Sequence, residues 1–162
     1  KRIWAPWRST YITATDEREP GCVFCNRAAA PQEKRRELGI VAVEKHGYVV
    51  QNRYPYTGGH LLVVPIHHVS TPLDLDEEQY TALTHLLRGS IAKIEQAFSP
   101  DGINVGMNLG RSAGAGIDQH CHFHIVPRWN GDTNFMPVLS DVRVISQSLL
   151  EIYDKLAPLF QK

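Results

Sequence analysis

Three histidines alternate with other residues in His120-Cys121-His122-Phe123-His124. If this stretch is a β-strand, its period of two sets His120, His122 and His124 on one face, with Cys121, Phe123 and Ile125 turned to the core. Neutral imidazole can attack phosphorus near pH 7, because its unperturbed pKa lies near 6.5. Such attack needs the other ring nitrogen held by an acceptor, and a backbone carbonyl of the same strand can supply one. The middle histidine, His122, is the candidate nucleophile, and its neighbours could bind phosphate oxygens or a metal. Two alternatives are a surface strand of solvated histidines and a metallohydrolase H-x-H cluster. The latter usually adds a nearby acidic residue, whereas Ile125-Val126-Pro127 follows here.

Cys22-Val23-Phe24-Cys25 offers two thiolates at chelating spacing. Zinc needs two further ligands to close a tetrahedron, and His67-His68 lies beyond Pro65. A redox pair or two free buried thiols share the C-x-x-C pattern. Asn108-Leu109-Gly110-Arg111-Ser112-Ala113-Gly114-Ala115-Gly116 leads into the histidines. Glycines let backbone amides approach an anion, though a plain hairpin loop has the same composition.

The elements that must carry these residues are legible in outline. Ile40–Val43, Tyr48–Asn52, His60–Pro65, Ile103–Asn108 and His120–Val126 read as strands. Asp76 and Gln79 form a capping-box pattern for a long helix with Tyr80, Leu83, Leu87, Ile91, Ile94 and Phe98 on one face. That helix should stop at Ser99-Pro100-Asp101-Gly102. Ser140 and Asp141 are caps for a final helix within 140–162, with Val144 or Ile145, Leu149, Ile152 and Leu156 inward and Pro158 limiting its length. The class is α+β: an antiparallel sheet with one long central helix and a C-terminal helix. The 162 residues fit one domain, 1–162, with an N-terminal arm over 1–20. Zero formal charge argues against a nucleic-acid polymer as partner but leaves room for a small anion. No apolar run is long enough for a membrane span, and three cysteines suit a cytoplasmic, reducing setting.

His120 to Val126 matches H-φ-H-φ-H-φ-φ, and the sequence resembles the histidine-triad (HIT) family from about Gly21 to Pro137. The resemblance implies a HIT-like fold, a homodimer, and hydrolysis or transfer of nucleoside monophosphates through a nucleotidyl-His122 intermediate. It puts His124 and the Asn108, Gly114 and Gly116 loop on the phosphate. It puts Asn52 on the ribose, although a strand-end turn explains that residue equally, and Ile40 with Val41 or Val43 against the base. It also implies a structural Zn2+ on Cys22, Cys25, His68 rather than His67, and His120. Where many members carry a hydroxyl before the nucleophile, this chain has Ile117 and Asp118. Trp4-Ala5-Pro6-Trp7-Arg8, Arg128-Trp129, Gly131-Asp132 and Asn134-Phe135-Met136-Pro137 resemble the bacterial diadenosine-tetraphosphate phosphorylase-like branch. A nucleotide substrate of adenine type follows from that likeness. Hydrolysis instead of phosphorolysis, and a nucleotide sensor without turnover, are the alternatives.

Overall fold

The computed structural model describes residues 20–132 and 147–161. The N-terminal arm up to residue 19, the Asn134–Pro137 motif and the expected caps Ser140 and Asp141 lie outside the described residues. Alternation along the central strands divides the apolar side chains between two layers. Val49 of β2 (Gly47–Gln51) and Leu61 and Val63 of β3 (Leu61–Pro65) enter one layer; Tyr48, Val50, Leu62 and Val64 enter the other. Both strands are buried throughout, which is why they read as continuous apolar runs. With β1 (Ile40–Val43), β4 (Gly102–Met107) and β5 (Phe123–Arg128), they form an antiparallel sheet of order β1-β2-β3-β5-β4.

One face is covered by α3 (Glu77–Phe98) and α4 (Leu149–Phe160). Leu83, Leu86 and Ile94 of α3 and Ile152 and Leu156 of α4 pack there against Val41, Val49, Val63 and Ile125. Asp76 and Gln79 make the expected capping box, and α3 ends on Ser99 in left-handed conformation. A cap of this kind contributes about 1 kcal/mol. The expected face of α3 packs on the sheet through Leu83, Leu87, Ile91, Ile94 and Phe98, and Leu86 and Ser90 widen it, while Tyr80 is exposed. Tyr80 belongs to the first turn, ahead of the stretch that packs on the sheet. The Ser90 hydroxyl donates to the Leu86 carbonyl, so its burial leaves no unpaired group.

The other face is covered by a short segment, α1 (Val23–Ala28) and α2 (Arg35–Leu38). Phe24 is its buried anchor, and the Tyr48 hydroxyl donates to the Phe24 carbonyl at 2.8 Å. The last helix starts at Leu149 on a Ser148–Glu151 capping box. Pro158 lies inside α4 and does not stop it, because near the C-terminal end it removes only one hydrogen bond from the last turn.

One strand boundary and one register irregularity correct the sequence reading. β5 begins at Phe123, so His120 and His122 precede the ladder. The amide of Cys121 donates instead to the Val69 carbonyl at 2.7 Å, tying this stretch to the loop after β3. A register irregularity between Ile40 and Ala42 breaks the alternation of β1. Ile40 and Val43 consequently belong to the Phe24 side, and Val41 to the helix side.

Candidate functional site

C-x-x-C at the start of a helix brings two thiols to one face, since residues three apart are neighbours there. Cys22 is the N-cap of α1 and Cys25 lies in its first turn. His68 comes from the loop after β3, and His120 from the stretch before β5. Cys22 Sγ is 3.4 Å from His120 Nδ1, Cys25 Sγ is 3.3 Å from His68 Nδ1, and Cys25 Sγ is 3.7 Å from His120 Nδ1. All four donor atoms lie within 4.8 Å of one another. Tetrahedral zinc with Zn–S of about 2.3 Å and Zn–N of about 2.0 Å needs ligand separations of about 3.5 Å. His120 Nε2–H donates to the Pro65 carbonyl at 3.0 Å, which leaves Nδ1 unprotonated toward the sulfurs. Burial first, then the Cys22 thiol, pushes the Cys25 thiol pKa up. A cation would remove that resistance to ionisation. The cluster can therefore coordinate a metal, and it contains His68 and not His67.

His122 is 7% exposed, with the Phe24 ring 4.8 Å away between centroids. Its Nδ1–H donates to the His120 carbonyl at 3.0 Å. This fixes the tautomer and leaves the lone pair on Nε2. Burial holds its pKa below the usual imidazole value, so the ring is neutral at neutral pH. The acceptor is the kind of backbone carbonyl anticipated from sequence, two residues upstream.

His124 is ordered by His60, which the sequence reading treated only as the start of a strand. The Tyr56 amide donates to His60 Nδ1 at 3.1 Å. In neutral His60 the ring proton is then on Nε2, which faces His124 Nδ1 at 3.0 Å. His124 thus carries its own proton on Nε2, as a donor. Burial first, then the proximity of His122, lowers the His124 pKa to about 4. The available signal for His60 was a histidine directly after a glycine and ahead of a fully apolar strand. Gly59 has φ +82°, and an added Cβ would meet Phe98 at 3.1 Å, so only glycine suits this entry to β3.

Asn52 lies beside His60, with its side-chain nitrogen 3.3 Å from His60 Nδ1. Its Oδ1 accepts the Tyr54 amide, closing an Asx turn. Ile40 and Val43 share the layer of Phe24, Val43 by way of the β1 irregularity, whereas Val41 points to the opposite face.

The glycine-rich connection folds as a tight turn. Gly110 and Gly114 adopt φ of 79° and 91° around a 3-10 turn at Arg111–Ala113. The amides of Ala113 and Ala115 bond to Gly110, and that of Gly114 bonds to Arg111. A Cβ on Gly114 would lie 3.8 Å from Asn108 Nδ2, so the loop closes back over Asn108. Ile117, which stands in place of the hydroxyl residue that many related sequences carry, packs into the Phe24 layer. Arg111 Nε donates to Asp118 Oδ2 at 2.8 Å and holds that carboxyl below its ordinary pKa.

The HIT domain family profile matches residues 35–131. The AP-4-A phosphorylase of Mycobacterium tuberculosis is 38% identical over 158 residues, spanning 92% of this chain and 78% of its own. An adenosine 5'-monophosphoramidase of Schizosaccharomyces pombe is 36% identical over 111 residues, 67% of this chain and 75% of its own. A hypothetical histidine triad nucleotide-binding protein from Sulfolobus tokodaii superposes with a TM-score of 0.64 at 29% identity, covering 86% of this chain and 89% of that one.

His124 predicts a specific acid sensitivity. Its folded-state pKa of about 4 lies below the ordinary 6.5, so between these values the unfolded chain binds a proton that the folded chain refuses. Its contribution to stability is intact above about 6.5 and is lost as pH falls toward about 4. Urea denaturation from pH 7 to pH 4 should show a shallower pH dependence for His124→Asn than for the parent; equal slopes contradict the assignment.

Proposed function

The chain belongs to the HIT-domain family, and from that premise we propose that it cleaves dinucleoside polyphosphates at an α-phosphate, as a phosphorylase of diadenosine tetraphosphate. The observation that carries the reading is the bond from His122 Nδ1–H to the His120 carbonyl, which leaves a neutral, sheltered Nε2 for attack. Similarity over nearly the whole chain to an AP-4-A phosphorylase supports the substrate class.

In this mechanism His122 Nε2 forms a bond to the α-phosphorus, and the bond to the bridging oxygen breaks. The electron pair leaves with the nucleoside triphosphate, and His124 Nε2–H donates to the phosphoryl or departing oxygen. The Asn108, Gly114 and Gly116 loop holds the non-bridging oxygens. Asn52 addresses the ribose, and Ile40 and Val43 contribute the apolar wall for the base. Inorganic phosphate then attacks the nucleotidyl-His122, returning the imidazole and releasing ADP beside the ATP of the first step. If water is the acceptor, the products are AMP and ATP.

His122→Ala should abolish turnover while thermal unfolding stays cooperative; retained turnover sinks the mechanism. Product analysis of the parent with phosphate should show ADP with ATP, whereas AMP in place of ADP would assign hydrolysis.

A structural Zn2+ belongs to the same proposal, held by Cys22, Cys25, His68 and His120. It would link α1 to the two stretches that carry the histidines, and His122 keeps the chemistry. The donor set of two thiols and two imidazoles supports it. Elemental analysis should find one zinc per chain and a loss of most of it in Cys25→Ser. Metal-free, fully folded parent protein overturns the site. In this reading the protein works in a reducing compartment, the cytoplasm, which its three free cysteines support. No helix among the described residues is long and apolar enough to cross a membrane.

We also propose a homodimer. β4 ends the sheet, its outer edge has no strand partner among the described residues, and Val105 is exposed on it. Such an edge invites pairing with a second copy. Light scattering should return twice the 18.2 kDa chain mass, and a monomer at micromolar concentration excludes this assembly.

A further inference from the structure

Arg111 is the one guanidinium in the glycine-rich connection. It bonds to Asp118 through Nε alone. Its side chain is 83% exposed, and no hydrogen bond from its two terminal nitrogens is formed among the described residues. The pair spans Ser112 to Ile117, so it closes a ring around the turn whose amides are organised by Gly110 and Gly114. Asp118 stands two residues ahead of His120 and four ahead of His122. The pair thus ties the glycine-rich turn to the stretch that runs on into His120 and the nucleophile.

From this geometry we propose that Arg111 is a specificity-determining residue that exchanges Asp118 for the outer phosphates of a polyphosphate chain. This rests on the proposed reading of the site as a phosphoanhydride-cleaving one, and it names what that site selects. A monodentate ion pair in water contributes little, so leaving Asp118 costs little. Phosphate offers the guanidinium fork a paired, charge-assisted contact that Asp118 does not make here. Asp118 then has two effects. Unoccupied, the site is spared an uncompensated cation beside the anion loop; occupied, Asp118 competes with the substrate for the same group. A substrate with a single phosphate has nothing to offer Arg111, whereas a polyphosphate has one or more phosphoryl groups beyond the reacting one.

The test compares diadenosine tetraphosphate with adenosine 5'-phosphoramidate, a single-phosphate substrate, on the full chain. The readout is the ratio of their kcat/KM values. Arg111→Gln should lower that ratio about tenfold, as expected for loss of a hydrogen bond to a charged group. Asp118→Asn should raise it, and the Arg111→Gln effect should shrink as salt is raised. An unchanged ratio in Arg111→Gln overturns the proposal, including the case in which both substrates lose equally, since that assigns Arg111 to loop folding. If the parent cleaves both substrates and the ratio does not move, the site reading stands and only the role of Arg111 fails. If the parent cleaves neither substrate, both fail.

Discussion

Most of the site hangs on the three engagements of His120. Its Nε2–H is bound to the Pro65 carbonyl, its Nδ1 faces the thiols of Cys22 and Cys25, and its own carbonyl holds His122 Nδ1–H. The first bond fixes the ring, the second joins it to α1, and the third sets which nitrogen of the next histidine carries a lone pair. His120 is completely enclosed, so an unmade bond at any of these groups would be costly. The residue does not touch the reacting phosphorus in the proposed mechanism. It determines the state of the one that does.

A second ordering runs from the opposite side. The Tyr56 amide is an obligatory donor, and it imposes one tautomer on His60, which imposes one on His124. The two chains of bonds end in complementary states: an imidazole that can give electrons and one that can give a proton. Burial keeps both rings neutral, which is compatible with nucleophilic attack by one and proton donation by the other. No carboxylate is needed to orient either ring.

The fold was largely legible because its signals are local. The Asp76–Gln79 capping box, the left-handed stop at Ser99 and the apolar runs of β2 and β3 depend on residues near one another in sequence. The grouping of Cys22, Cys25, His68 and His120 was reached through family resemblance, and their donor atoms do converge. What escaped depends on distant partners. The start of β5 shifts because the Cys121 amide bonds to Val69, more than fifty residues away. Val43 joins Ile40 on one face because of an irregularity in pairing with β2, which no periodicity in β1 could reveal. His60 gains its meaning only when β3 and β5 pair and bring it to His124.

The wall above His122 is Phe24, and Phe24 belongs to a helix of six residues. A helix that short is not stable by itself. Its order comes from the Tyr48 hydroxyl on the Phe24 carbonyl and from the meeting of its two thiols with His68 and His120. The reactive ring and its shelter thus come from segments nearly a hundred residues apart in the chain, so the protected state of His122 is a property of the folded whole and of neither segment alone.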